Sequence, residues 1–169
     1  MCGVVGLGRL LGERTDRNLV ARLHRHATDA RWRVREAVAM ALQRLGDADL
    51  PRLLDLVSDW THDSDPLVRR AAAAGICEPR LLRTDEARRC ALTACAQSTE
   101  SLLGLSDAER RAADVRVLRQ ALGYCWSVAI AAAPAAGLPL FTGLSDSDDR
   151  DVRWIVKENS KKARLARLL

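Results

Sequence analysis

The sequence predicts an all-α fold: a right-handed α-solenoid of about four antiparallel helix pairs, with no β-sheet. Three observations carry that expectation. Aromatic residues make up only 4% of the chain and apolar residues 48%, so the interior has to be built from Ala, Leu and Val, a palette that suits close helix packing rather than sheet. Displacing the sequence by 34 positions lays Gly12 on Gly46, Leu19 on Leu53, Asp29 on Asp63, Val34 on Val68, Arg35 on Arg69 and Ala39 on Ala73. A period of that length is the mark of stacked helical repeats. Finally, an acid-rich turn followed by Val-Arg recurs at Asp29–Arg35, Asp63–Arg69 and Asp146–Arg153, with a weaker copy at Asp114-Val115-Arg116.

In chain order, Met1–Gly12 overlays the end of a second helix, because Gly12 aligns with Gly46. The chain is therefore expected to open inside a repeat, with an apolar edge suited to self-association. Asn18–Ala27, Leu50–Thr61, Asp85–Leu103 and Pro134–Leu144 read as the first helices of successive pairs, punctuated by Gly46, Pro51, Pro79 and Pro134. In the turns, Asp29, Asp63 or Asp65, and Asp148 or Asp149 can accept hydrogen bonds from the free N–H groups opening the next helix and favour its positive dipole end. Pro66 fits the first helical turn, where no amide donor is missed. Apolar residues then recur at helical spacing: Val34, Val38, Ala41, Leu42 and Leu45; Val68, Ala72, Gly75 and Ile76; Val152, Ile155 and Val156. Another helix is expected over Val115–Ala133, with Tyr124 and Trp126 read as core. Successive turn valines lie 34, 47 and 37 residues apart, so insertions fall in the third unit. The units of one domain are expected at about 1–14 (partial), 15–46, 47–79, 80–132 and 133–169.

The segment Asp-Ala-Arg-Trp-Arg-Val-Arg-Glu-Ala-Val at Asp29–Val38, with its counterpart at Asp63–Ala72, resembles the HEAT-repeat family. The resemblance implies a concave face lined by the second helices, a ladder between turn aspartates and the arginine after each valine, and Arg35, Arg69, Arg116 and Arg153 on the inner side. More distantly, the spacing Trp32-x-x-x-Glu36 and Trp154-x-x-x-Glu158, with the stretch Trp154–Lys161, is similar to the DNA alkylpurine glycosylases built from HEAT-like repeats. There a tryptophan and an aspartate flank the damaged nucleotide; here the carboxylates are Glu. The opening Met-Cys-Gly-Val-Val-Gly is similar to the start of glutamine amidotransferases, in which the second-position cysteine is the nucleophile. That chemistry needs a sheet-rich scaffold, and nothing downstream alternates with period two, so Cys2 is read as a small residue at a helix edge.

Charge is unevenly placed. Residues 152–169 hold six bases and one acid, a net +5, and leave the other 151 residues neutral. Lys157, Lys161 and Arg164 are expected to share one face of a continuous C-terminal helix and to be able to meet phosphates. Five cysteines without Cys-x-x-Cys spacing, and three histidines without a matching carboxylate, give no metal set and no disulfide framework. The longest apolar run, around Val128–Ala133, is too short for a membrane span, and no export signal is read, so a cytoplasmic chain is expected.

These readings converge on a non-catalytic module that binds a partner protein on its concave face, with Arg35, Arg69, Arg116, Arg153, Trp154, Lys157, Glu158, Lys161 and Arg164 as candidate contact residues. DNA binding or base excision on a basic concave face is the alternative, and a stackable subunit or piece of a longer solenoid the second. No catalytic residue, metal or cofactor is expected.

Overall fold

The computed structural model describes residues 2–14 and 16–169, without the side chain of Cys2. They form eleven helices: α1 (Cys2–Glu13), α2 (Arg17–Ala27), α3 (Trp32–Ala48), α4 (Leu50–Thr61), α5 (Pro66–Ile76), α6 (Asp85–Glu100), α7 (Asp107–Arg110), α8 (Ala113–Ala132), α9 (Pro134–Ser145), α10 (Arg150–Ser160) and α11 (Ala163–Ala166). A 3₁₀ turn spans Pro79–Leu81. No strand occurs among the described residues.

The helices start where side chains can satisfy their free amides. Asp16 Oδ1 accepts from the Asn18 and Leu19 N–H groups at 2.9 and 3.3 Å, and Asp49 accepts from Arg52 N–H at 3.1 Å. Asp65 caps α5 through Leu67 N–H (2.8 Å), with Pro66 behind it, and Asp149 caps α10 through the Asp151 and Val152 amides. Caps of this kind are each worth about 1 kcal/mol. One acidic turn works differently from the sequence expectation. Asp29 leaves the start of α3 uncapped by a side chain and instead binds the Arg31 amide and guanidinium at 2.8–2.9 Å. That short charge-assisted pair holds the Asp29 carboxyl well below the usual carboxylate range.

α2, α4, α6 and α9 are first helices; α1, α3, α5, α8 and α10 are second helices that pack side by side in chain order. No pair can bury its apolar stripe alone, and the stack joins the stripes into one core. Val38, Leu42, Leu53, Val68, Ile76, Leu118, Leu122 and Ile155 are all fully buried in it. The second-helix layer is tight because small residues sit at its crossings. A Cβ on Gly8 would fall 1.9 Å from the Ala41 carbonyl oxygen, so α1 and α3 meet backbone to backbone there. Gly46, read from sequence as helix punctuation, lies inside α3 and is buried, with Leu53 against its backbone.

Two segments depart from the sequence reading. The helix expected over Asp85–Leu103 stops at Glu100; Leu102 is buried as a plug, Gly104 takes φ +74°, and a Ser106/Glu109 capping box opens the one-turn α7. This insertion carries much of the 47-residue spacing between Val68 and Val115. At the other end, the continuous basic helix is broken: α10 ends at Ser160, and α11 follows after Lys161–Lys162, anchored by the fully buried Leu165. Lys157 and Arg164 are therefore not members of one helix face.

Candidate functional site

Repeat geometry brings one residue from each second helix to corresponding places on the inner surface. In α3 and α5 the 34-residue period pairs Glu36 with Arg70 and Met40 with Ala74. Arg70, only 8% exposed, donates to Glu36 and to the Arg35 carbonyl oxygen (3.1 Å), and Gln43 Nε2 donates to the Ala74 carbonyl oxygen. Arg70 and Glu36 are thus consumed in holding α3 to α5, while Arg33 and Arg44 on α3 stay exposed without a carboxylate partner among the described residues. Met40 is 45% exposed, and its counterpart one repeat on is the small, half-buried Ala74. At the starts of α3, α5 and α8 lies a hollow of about 400 Å³ lined by Asp29, Arg35, Leu67, Ala113, Asp114 and Val117. Its walls come from three successive second helices and their turns, which places it on the side toward which those helices face.

The expected arginine row divides in two. Arg35 donates to the carbonyl oxygens of Asp29 and Ala30 at 2.6 and 2.9 Å, and Arg69 donates to that of Asp63. Both clamp their own turns, so the ladder to neighbouring aspartates implied by the HEAT resemblance does not form through them. Arg116 and Arg153 are exposed. The links between repeats run elsewhere: His24 Nε2 lies 2.7 Å from Asp63 Oδ2, Arg80 meets Asp47, and Arg110 and Arg119 converge on Asp149 and Asp151. Burial disfavours the Asp63 and Asp149 carboxylates, yet hydrogen bonds from His24 and Arg110 outweigh it and hold both below their ordinary range.

The two Trp–Glu pairs also part company. Trp32 stands 60% exposed at the start of α3, with Arg33 beside its ring. Trp154 packs between helices: a Cβ on Gly123 would lie 2.8 Å from its ring, and Arg119 sits 4.9 Å from its centroid. Glu36 is taken by Arg70 and Glu158 by Lys161 at 2.5 Å, so both carboxylates have a cation partner, and the Lys161 bond keeps the Glu158 carboxyl low. Trp126 is core, as the sequence suggested, and donates to Thr99 Oγ1 at 3.0 Å. Tyr124 is not: it is 45% exposed, its hydroxyl accepts from Arg164 at 2.9 Å, and Arg164 and Lys162 approach its ring to 4.9 and 5.9 Å. Arg116, Arg153, Lys157, Lys162 and Arg164 have no carboxylate partner among the described residues. The exposed Met40 and Tyr124 escaped the sequence reading because each falls within an apolar helical stretch; only the phase of the stripe, read against the neighbouring helix, turns them outward.

Other chemistry is sparse. Cys77 and Cys95 lie 3.7 Å apart beside Cys125 in the core. For Cys77 a hydrogen bond with Cys125 favours the thiolate, but the Cys95 contact and burial prevail and push it up; burial raises Cys90 to about 11. No group of His, Cys, Asp and Glu among the described residues is arranged to hold a metal. The Cys2 side chain, the nucleophile implied by the amidotransferase-like start, lies outside the described residues. No described helix is long and apolar enough to cross a membrane.

Stacked helix pairs whose second helices face one shared hollow define a helical solenoid of the kind that presents an extended surface rather than a closed pocket. The family model for HEAT repeats matches residues 6–77, which span α1 through the end of α5. Over that stretch the chain is similar to HEAT repeats. No curated protein and no solved structure matches it.

Proposed function

We propose that the chain is a non-catalytic interaction module that holds a partner protein on the inner surface of α3, α5, α8 and α10. The observation that carries this reading is that the layer of second helices exposes Met40 and Tyr124, apolar and aromatic side chains each 45% exposed, while the starts of α3, α5 and α8 in the same layer line a hollow of about 400 Å³. Exposed Met and Tyr beside a concavity are the residue types that anchor protein interfaces. The cysteine pattern supports a reducing, cytoplasmic setting. A photo-cross-linking residue placed at Met40 should label a partner in cell extract, whereas one at Thr93, exposed on α6, should not. Equal labelling from both positions overturns the reading. The unpaired cations of α8, α10 and α11 favour a second reading, nucleic-acid binding, which requires affinity for duplex DNA that falls steeply with salt.

A further inference from the structure

We infer that the layer of second helices takes a single-stranded nucleic acid in preference to a duplex, its unpaired cations meeting the phosphates while bases stack on the exposed rings of Trp32 and Tyr124, a proposal that rests on the nucleic-acid reading and adds the form of the strand.

Charge selects a polyanion. A second helix inside the stack has a neighbour on each side and first helices behind it, so the side chains left exposed along its middle face inward. On α3, Arg33, Met40 and Arg44 fall at helical spacing on one such face; on α8 it is Arg116, Gln120 and Tyr124, and on α10 Arg153 and Lys157. The acids of this layer are engaged: Glu13 by Arg9, Glu36 by Arg70, Asp47 by Arg80, Asp151 by Arg110 and Arg119, and Glu158 by Lys161. Asp114 is the exception, at the start of α8, where its carboxylate accepts from the Val115 amide. Along the middle of the helices the unpaired charge is therefore of one sign, from Arg44 on α3 through Arg116 on α8 to Lys157 on α10. Exposed acids without a cation partner lie on other parts of the molecule, Asp55 and Asp59 on α4 and Asp146 and Asp148 in the turn before α10. One sign repeated over successive helices suits a phosphate backbone.

The rings select the single strand. Cations alone would serve a duplex, whose base faces are stacked on one another and closed to side chains. Trp60, Trp126 and Phe141 are buried and Trp154 packs on Gly123, whereas Trp32 and Tyr124 stand 60% and 45% exposed. Both exposed rings carry a cation: Arg33 lies 5.3 Å from the Trp32 centroid, and Arg164 and Lys162 lie 4.9 and 5.9 Å from that of Tyr124. With a cation at one side and the rest of the ring open, each can stack an unpaired base and hold positive charge beside its phosphate. Stacking accepts any base, so such a surface holds a strand without reading its sequence. An acidic peptide can use the cations but brings no base to either ring.

The test uses the full chain and labelled dodecamers read by fluorescence anisotropy over a salt series: single strands of DNA and of RNA, the DNA duplex, and a polyglutamate peptide. At least one strand is expected to bind about tenfold tighter than the duplex and the peptide, two stacked bases being worth that factor or more; DNA against RNA reports which sugar is favoured. Trp32→Ala and Tyr124→Ala should each weaken the strand roughly fivefold to a hundredfold and leave the duplex nearly unchanged, and Tyr124→Phe, which keeps the ring, should retain the strand. Replacing Arg44 and Lys157 together by Gln should lower the slope of log affinity against log salt for the strand by about 1.4. All these side chains but that of Trp32, in the first turn of α3, lie in helix middles and all are exposed, so unchanged thermal melting checks that the variants are folded. Strand affinity that survives both Ala variants, or a peptide that binds as tightly as the strand, overturns the inference. If the duplex binds as tightly as the strand with a steep salt dependence, the nucleic-acid reading stands and the preference for a single strand falls; if neither binds at low salt, both fall.

Discussion

Replacing Asp151 by Ala strikes the ion cluster that fastens the last helix pair to the one before it. Asp151 is 2% exposed; its Oδ2 accepts from Arg110 at 2.6 Å and its Oδ1 from Arg119 at 2.7 Å. Removing one partner of a buried pair costs about 3–5 kcal/mol, because the remaining charge is left desolvated. Two features pull the cost toward the lower end: Arg110 keeps Asp149 at 2.6 Å, and the Arg119 side chain is 27% exposed. About 3 kcal/mol, at ~2–4 °C per kcal/mol for a chain of this size, lowers the melting temperature by about 6–12 °C. Circular dichroism should read that shift, and hydrogen exchange should find the α10 amides opening first, since each pair in such a stack is held mainly by its neighbours. Arg9→Ala is the control: its pair with Glu13 is 82% and 54% exposed, and it should melt within about 1 °C of the parent. If Asp151→Ala melts with the control, the cluster is not what fastens α10.

Gly8→Ala should destabilise, by roughly 1–3 kcal/mol in urea unfolding, because its Cβ would strike the Ala41 carbonyl and backbone must move. Gly3→Ala, with nothing within 4 Å, should gain up to about 1 kcal/mol from helix propensity alone; loss at both positions would refute the close α1–α3 crossing. Val68→Asp places an unpaired charge at a fully buried site in the repeat interface, and retained cooperative melting would disprove the register. Asp63 and Asp149 have folded pKa values below their unfolded value of about 3.9, so their stabilisation is complete above that value and disappears as pH falls through the folded values. The melting temperature should therefore drop below about pH 4, and Asp149→Asn should flatten that drop.

The repeat was legible in sequence because it is written in the residues that must be small, apolar or capping. Val34, Val68, Val115 and Val152 stand at 34, 47 and 37 residues, and three of the four are buried within α5, α8 and α10. What sequence left open were contacts decided across repeats. Asp29 and Asp63 correspond by the 34-residue period and each accepts from the amide two residues on, yet only α5 is capped by a side chain, because its N-cap position holds Asp65 where α3 has Arg31. The break at Lys161–Lys162 follows from Leu165, whose burial against the stack turns α11 away from the line of α10.

Residue type separates scaffold cations from free ones. A guanidinium carries several donors in a rigid fork and can satisfy carbonyl oxygens or a carboxylate at a turn, whereas an ammonium is a compact, strongly hydrated charge. Arg35, Arg69 and Arg88 donate to turn carbonyl oxygens, and Arg52 donates to those of Leu11 and Arg14. Arg70, Arg80, Arg110 and Arg119 bind carboxylates across repeats. The chain's three lysines all fall after residue 156, where Lys157 and Lys161 are exposed and Lys162 half-buried beside Tyr124. The arginines that hold the fold have their geometry already used, whereas Lys157, like Arg116 and Arg153, is exposed with no carboxylate partner among the described residues. By that criterion the C-terminal end of the inner surface, with Arg116, Arg153 and Lys157, rather than Arg35 and Arg69 with their donors spent on turn carbonyls, is where an anionic partner should be sought.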